Sequence, residues 1–202
     1  MGKRLTKKFD RAVRFAIRAH DGQVRKGNRA PYISHPMAVA SIVLEYGGSE
    51  TQAIAALLHD VVEDCGVSEA RLARLFGKPV ARIVMECSDF CGPIDEKKPP
   101  WRARKEEYLA HLPRSSSEAL LVSAADKLHN ARATVHDARH YGERIWKNFN
   151  AAPEEMLWYY RALADVFRRR ARGELRILVR ELDTHVEEMA RLISPNRRRS
   201  RA

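Results

Sequence analysis

The apolar residues of this chain recur at intervals of three and four over most of its length, which is the spacing of one face of an α-helix. Two segments show the pattern most clearly, and their apolar-face positions are Phe9, Val13, Ala16, Ile17 and His20 near the start and Leu175, Val179, Leu182, Val186, Met189 and Ile193 near the end. Alternation with a period of two, which is typical of strands, is scarce. The pattern predicts an all-α fold.

Proline, glycine and serine mark the predicted helix ends. Pro36 fits the first turn of a helix that Gly47 and Gly48 terminate, and Pro153 opens a helix that stops before Gly173. Ser49 with a glutamine three positions later is a capping-box pattern. It predicts one continuous helix that starts near residue 49 and runs through residue 64.

Further helices are predicted between these segments. They cover residues 68–76, 79–88 and 102–112, and a second capping box formed by Ser115 and Glu118 opens another. Residues 89–101 are rich in proline and charge, which predicts a loop.

The chain shows no internal repeat and no linker that would divide it. A chain of 202 residues is long enough for one domain with a sizeable core. We therefore expect a single domain over residues 1–195. Residues 196–202, "NRRRSRA", have no large apolar side chain and are predicted to be a basic disordered tail.

The net charge of +11 comes in part from two arginine-rich runs, at residues 167–172 and 194–202. Such runs are usually a solvated helix face and a solvated tail. An anionic small substrate or a nucleic acid would also suit them. Because no zinc finger and no aromatic RNA-binding signature is present, we expect no obligatory nucleic acid partner.

No stretch approaches the length of about 18 apolar residues that a membrane helix requires. No apolar signal-peptide core follows the basic N-terminus. These features predict a cytoplasmic protein without a membrane partner. The three cysteines, Cys65, Cys87 and Cys91, are expected to be reduced and structural. The sequence leaves open whether the chain forms a homo-oligomer.

The stretch "AIAALLHDVVEDC", residues 53–65, combines a pattern typical of a buried helix with four ionisable residues. These are His59, Asp60, Glu63 and Asp64. Burying charge is unfavourable unless the charge is paired or binds a metal ion. The chain also holds the doublets His20-Asp21, at a helix end, and His136-Asp137, in a polar segment. Only the doublet at 59–60 follows an apolar run.

Two further residues complete a candidate metal site. His35 precedes the proline that starts a helix, and Asp126 lies on a mostly apolar helix face. Together with His59 and Asp60 they would suit manganese, iron or zinc and leave coordination positions open for water. The alternatives are a buried hydrogen-bonded pair at 59–60 and a salt bridge of Asp126 with a neighbouring basic residue.

Glu63 and Asp64 follow His59 and Asp60 by four residues, so in a helix they lie one turn further on the same face. One carboxylate there could orient or deprotonate a water molecule, and the other could transfer a proton. The alternative is that both belong to a solvated helix end. Acidic residues are unfavourable at that end of the helix dipole, which favours the functional interpretation.

Three segments, "RKGNRAPYISHP", "AALLHDVVED" and "AADKLHN", resemble the hydrolase domain of RelA/SpoT homologues in the HD superfamily. The small single-domain alarmone hydrolases are the most similar subgroup. The resemblance implies a single HD-domain helical bundle with a metal site in its core cleft. It also implies one manganese(II) ion per chain and hydrolysis of the nucleotide alarmone ppGpp to GDP and pyrophosphate. The alternative substrate is a ppApp-like adenine alarmone or another nucleotide.

The resemblance also implies substrate contacts. Arg25 and Lys26 would lie near the nucleotide, Lys97 near a pyrophosphate, Asn130 near the nucleotide or ribose, and Tyr159 near the phosphate or sugar. The alternative for the three aromatic residues at 158–160 is that they belong to the hydrophobic core. The histidine at position 129 departs from the resemblance, since many relatives have a tyrosine or another residue there, and the base preference stays open between guanine and adenine.

Overall fold

The computed structural model describes residues 4–26, 29–89 and 98–193. This part of the chain forms ten α-helices and no strand, so the all-α prediction is confirmed. The helices are α1 (Lys7–Ala19), α2 (Ser34–Glu45), α3 (Glu50–Leu58), α4 (Val61–Cys65), α5 (Glu69–Phe76), α6 (Lys78–Cys87), α7 (Trp101–His111), α8 (Ser117–Tyr141), α9 (Pro153–Arg170) and α10 (Leu175–Ile193). Two 3₁₀ turns lie at Leu112–Arg114 and Gly142–Asn148.

Helix α3 lies in the centre of the bundle. Its residues 53–58, "AIAALL", are three alanines, one isoleucine and two leucines, and all six are buried. Helices α1, α2, α6 and α8 contact α3 from different sides. Small side chains let these helices approach closely, so the apolar run brings the end of α3 into the interior.

The turn between α2 and α3 depends on two glycines. Gly47 has a φ of 77°, in the left-handed region that glycine adopts without steric cost. A Cβ on Gly48 would lie 2.5 Å from Val43 Cγ1 and 2.6 Å from Val43 O. This close approach turns the chain directly from α2 into α3, where Ser49 and Gln52 form the predicted capping box.

The predicted continuous helix over residues 49–64 is wrong in one respect. Helix α3 ends at Leu58 and α4 begins at Val61, so His59 and Asp60 lie in the turn between them. Both keep right-handed backbone angles, and the Asp64 N–H donates to the Asp60 carbonyl at 2.8 Å. The expected one-turn stacking of Asp64 on Asp60 is therefore retained.

The second predicted capping box is also wrong. Ser116, not Ser115, caps α8, and its hydroxyl accepts a hydrogen bond from the Ala119 N–H. Ser116 also donates from its backbone N–H and its hydroxyl to the Glu86 carboxylate, at 2.7 Å in each case. The tertiary contact with α6 fixes this helix start, and single-sequence cap patterns do not contain that information.

The predicted apolar seam of the last helix is confirmed at its centre. Val179, Leu182, Val186 and Met189 are buried, and α10 packs on α8 and α9. Leu178, which the seam omitted, is also fully buried. In α1 the apolar face is rotated from the prediction: Ala12 is buried, while Ile17 is 48% exposed.

No helix in residues 4–26, 29–89 and 98–193 is both long enough and apolar enough to cross a membrane. Cys65 and Cys87 are free thiols, as expected. Cys91, Lys97 and the basic tail lie outside the described residues, so these predictions stay predictions.

Candidate metal centre and substrate pocket

Three buried residues from separate segments of the bundle form a candidate metal centre. His35 comes from the start of α2, His59 follows α3, and Asp126 lies in α8. One ligand atom from each residue lies within 4.8 Å of the ligand atoms of the other two. Imidazole nitrogen and carboxylate oxygen together suit a divalent transition metal ion. The structure therefore brings three of the four predicted ligands into one cluster.

The ring of His59 is held in the orientation that a metal ligand requires. Its Nδ1 donates to the Ala56 carbonyl at 2.7 Å, which leaves Nε2 without the proton in the neutral ring. Nε2 is buried and makes no hydrogen bond of acceptable geometry among the described residues, although Asp60 Oδ2 lies 3.1 Å from it. A buried, unpartnered acceptor that faces two carboxylates fits a bound cation.

His35 is held in the same manner by a residue that the sequence analysis did not assign. Its Nε2 lies 3.1 Å from Asp126 Oδ1, and its Nδ1 lies 2.8 Å from Nδ1 of His129. Burial and the neighbouring His35 lower the pKa of His129 to about 4. His129 is therefore neutral near pH 7, and its Nδ1 can accept a hydrogen bond from the Nδ1–H of His35. His129 and His35 are far apart along the chain, so the sequence alone could not reveal their contact.

Asp60 lies beside the cluster. Its Oδ2 is 3.1 Å from Nε2 of His59 and 3.6 Å from Nε2 of His35. The Tyr32 hydroxyl donates to the same oxygen at 2.5 Å. Asp60 is not one of the three residues whose ligand atoms lie mutually within 4.8 Å. Tyr32, which the sequence analysis also missed, orients its carboxylate.

The electrostatics of the cluster favour positive charge. Burial alone would raise the pKa of Asp60 and of Asp126, but neighbouring cationic groups, His59 at Asp60 and Lys127 at Asp126, hold both below the usual range. Burial would lower the pKa of His59, but Asp60 and Asp126 raise it, so without a metal ion a proton on Nε2 supplies the positive charge that the two carboxylates attract. Burial lowers the pKa of His35. Two carboxylates that stay ionised in the interior provide the charge that a divalent ion requires.

Asp126 also accepts hydrogen bonds from its own helix. Lys127 lies 2.5 Å from Oδ2, and Asn130 donates to Oδ1 at 2.6 Å. The Asn130 Oδ1 atom in turn accepts from Arg25 at 2.7 Å. Asp126 thus forms the salt bridge with Lys127 and also contacts the two histidines of the cluster. Asn130 joins Arg25, which is predicted to lie near the nucleotide, to the candidate metal centre.

Glu63 and Asp64 lie next to the cluster and pair with basic residues. Lys98 Nζ lies 3.0 Å from Glu63 Oε1 and 3.9 Å from Asp64 Oδ1, and Arg104 lies 3.5 Å from Glu63 Oε1. Burial and the charge of Asp89 raise the pKa of Glu63 to about 7. Burial and Asp60 raise the pKa of Asp64. A carboxyl group whose pKa lies near 7 is suited to proton transfer.

Asp89 was not predicted, but it organises the basic residues on this side. Arg104 lies 2.7 Å from Oδ1, and Lys105 pairs with Oδ2. Burial alone would raise the pKa of Asp89. The Lys105 ammonium and the Arg104 guanidinium outweigh this effect and lower the pKa to about 2. Because Asp89 follows α6 and its partners lie in α7, only the tertiary structure brings this set together.

A cavity of about 360 Å³ opens over the candidate metal centre. Of the predicted site residues, it is lined by Arg25, Lys26, His35, His59, Asp60, Glu63, Asp64, Asp126, Asn130 and Tyr159. Tyr159 lies deep in it, 4% exposed, and its hydroxyl has no hydrogen-bond partner among the described residues. Cavities of this size hold small organic ligands. All predicted site residues within the described part of the chain thus share one cavity.

The fold and the site together define a class. The HD domain family matches residues 12–155, which is most of the described helical bundle, and the chain therefore belongs to the HD domain family. The matched range includes all three residues of the cluster.

Particular relatives within this class have known names. The chain is 40% identical over 124 residues to the guanosine-3′,5′-bis(diphosphate) 3′-pyrophosphohydrolase MESH1 of Xenopus tropicalis. The aligned region covers 60% of this chain and 66% of the relative. It is 37% identical over 120 residues to a guanosine-3′,5′-bis(diphosphate) 3′-pyrophosphohydrolase of Haemophilus influenzae, covering 56% of this chain and 17% of the relative. The chain therefore spans slightly less than two thirds of the first relative and a small part of the second.

Two solved structures are similar to most of this chain. One is described as a metazoan ortholog of SpoT that hydrolyses ppGpp; it matches with a TM-score of 0.70 and 26% identity, over 91% of this chain and 97% of the other. The second, from Listeria monocytogenes, matches with a TM-score of 0.67 and 25% identity, over 76% of this chain and 96% of the other.

Proposed function

We propose that the protein is a manganese-dependent hydrolase that removes the 3′-diphosphate of ppGpp and releases GDP and pyrophosphate. The observation that carries the proposal is the unpartnered Nε2 of buried His59, which faces Asp60 and Asp126 at the base of the cavity. The names of the relatives supply the substrate class.

His35, His59, Asp60 and Asp126 would hold one manganese(II) ion through two imidazole nitrogens and two carboxylates. This donor set suits manganese, and it leaves coordination positions for water and substrate. When bound, a divalent ion lowers the pKa of water and offsets charge on the phosphoryl group under attack.

Glu63 and Asp64 carry the proton transfers in this proposal. Glu63 Oε1 accepts a proton from the water that attacks the phosphorus atom next to the 3′-oxygen. The bond between that phosphorus and the 3′-oxygen breaks, and Asp64 supplies the proton that the departing 3′-oxygen takes. The raised pKa values of both carboxyl groups support these roles.

Basic residues on two sides of the cavity would bind the diphosphates. Arg25 and Lys26 line one side, where Asn130 holds the Arg25 guanidinium. Lys105 lines the other side, close to Tyr159. Lys97 is proposed to add a further phosphate contact. Guanidinium groups bind phosphate oxygens in a bidentate manner, and ammonium groups act as point charges.

Product analysis tests this function. The purified chain is incubated with manganese(II) and ppGpp, and the products are resolved by anion-exchange chromatography beside a sample treated with a metal chelator. We expect GDP and pyrophosphate in equal amounts, and no product after chelation. Unchanged ppGpp, or the release of orthophosphate in place of pyrophosphate, would show that the proposed reaction is wrong.

A further inference from the structure

The doublet His136-Asp137 has no part in the metal centre, yet its carboxylate lies in the same cavity. Asp137 is 6% exposed and lines the cavity together with Asn130 and Thr134. Its Oδ1 is buried and has no hydrogen-bond partner among the described residues. An unpartnered buried acceptor is rare and unfavourable in native proteins unless a ligand satisfies it.

The position of Asp137 along α8 fits the far end of a nucleotide. It follows Asp126 by eleven residues, which is about three helical turns and about 16 Å along the axis. Asn130 and Thr134 lie between them on the same face, and all four line the cavity. A nucleotide bound with its 3′-phosphate at Asp126 has room along this face to place its base near Asp137.

An aromatic ring lines the same cavity, next to a turn that packs on α8. Phe149 follows the 3₁₀ turn Gly142–Asn148 and lines the cavity with Asp137. Nucleobases stack on aromatic rings regardless of base identity, whereas hydrogen bonds to the base edge distinguish one base from another. The ring and the carboxylate thus provide the two elements of a base-binding site.

We propose that Asp137 reads the nucleobase and makes the enzyme selective for guanine over adenine. This inference rests on the proposed function. The Watson–Crick edge of guanine presents two adjacent donors, N1–H and the 2-amino group, and a carboxylate can accept from both. Adenine presents a ring nitrogen acceptor beside its amino donor, so the carboxylate would face a lone pair. Selectivity arises from the mismatch as much as from the match.

Steady-state kinetics with ppGpp and ppApp test the inference. We expect the wild-type kcat/KM to favour ppGpp by about a hundredfold, and Asp137→Asn to reduce this preference below about tenfold, because an amide offers one acceptor and one donor. The ratio of the two values does not depend on the amount of folded protein. Asp10→Asn, which removes an exposed carboxylate on α1, should keep the wild-type ratio.

A measurement on the wild-type protein covers the case in which the variant does not fold. The inosine analogue of ppGpp lacks the 2-amino group, and we expect its kcat/KM to fall about tenfold below that of ppGpp, the loss of one charge-assisted hydrogen bond. Equal kcat/KM values for ppGpp and the inosine analogue would overturn the role of Asp137.

The outcomes separate the two proposals. If the protein hydrolyses these 3′-diphosphates but Asp137→Asn leaves the ratio of kcat/KM for ppGpp to that for ppApp unchanged, the base-reading role is overturned. The proposed function then stays intact. If the wild-type protein cleaves none of these nucleotides, the proposed function falls, and the base-reading role falls with it.

Discussion

At the scale of single residues, the candidate centre combines ionised carboxylates with imidazoles whose orientation is fixed by their second nitrogen. His59 donates to a backbone carbonyl and His35 contacts His129, so in each case Nε2 is directed to Asp126. Such outer contacts fix the tautomer and the ring orientation of metal ligands. The same principle accounts for Tyr32, which holds Asp60.

Glu63→Gln tests the proposed proton acceptor. The amide keeps the size of the side chain but cannot accept the proton, so we expect kcat to fall by about a hundredfold or more while manganese binding is retained. The measurement is kcat together with metal content. Glu187→Gln, an exposed position on α10, is the matched control and should behave as the wild type. A Glu63→Gln enzyme with the wild-type rate would move the role to another residue.

The pH dependence of the reaction follows from the same carboxyl group. Glu63 has a pKa raised to about 7 by burial and Asp89, and it must be ionised to accept a proton. The ionised fraction decreases as the pH falls through this value, so kcat should decrease on acidification, with the acidic limb at or below about pH 7. A pH–rate profile of the manganese-loaded enzyme measures this. A rate that stays constant down to pH 5 would contradict it.

At the scale of elements, the apolar run before His59 explains why charged groups can lie in the interior. The buried residues of α3 fix its end between α2 and α8, and the turn to α4 then directs two ionisable side chains into the cleft. The sequence predicted the helix and its cap at Ser49. It did not predict the break at residues 59–60, because these residues retain helical backbone angles and only the hydrogen-bond ladder is interrupted.

The packing of α10 on α8 gives a test of the element account. Leu182 is fully buried, and Leu182→Ala should lower the free energy of unfolding by about 2–5 kcal/mol through lost burial and the cavity left behind. Ile177 lies on the same helix but is 51% exposed, and Ile177→Ala should change stability by no more than about 0.5 kcal/mol. Denaturant unfolding measures both. Equal losses for the two variants would mean that α10 is not packed as described.

At the scale of the whole molecule, the sequence predicted the fold class and the cluster better than the surroundings of the cluster. Helical periodicity and the positions of His35, His59 and Asp126 were sufficient for the first two. His129, Tyr32 and Asp89 could not be predicted, because their contacts join segments that are distant along the chain. Their roles depend on how helices pack, which periodicity does not specify.

The basic tail tests whether the positive charge of the chain assists the substrate. Residues 196–202 carry four arginines and no large apolar side chain, and we predict no role for them in packing or catalysis. Deleting them should leave kcat/KM and the unfolding midpoint nearly unchanged at moderate salt. A loss of kcat/KM at low ionic strength that fades as salt is added would instead indicate that these arginines steer the anionic substrate.

The central claim is that His35, His59 and Asp126, with Asp60 beside them, hold one divalent ion. The most direct measurement is the manganese content, by elemental analysis after loading and desalting, of the wild-type protein, His59→Ala and the exposed-histidine control His140→Ala. We predict about one manganese ion per chain in the wild type and in His140→Ala, and almost none in His59→Ala, because an incomplete ligand set binds weakly. Equal manganese in His59→Ala and the wild type would contradict the account.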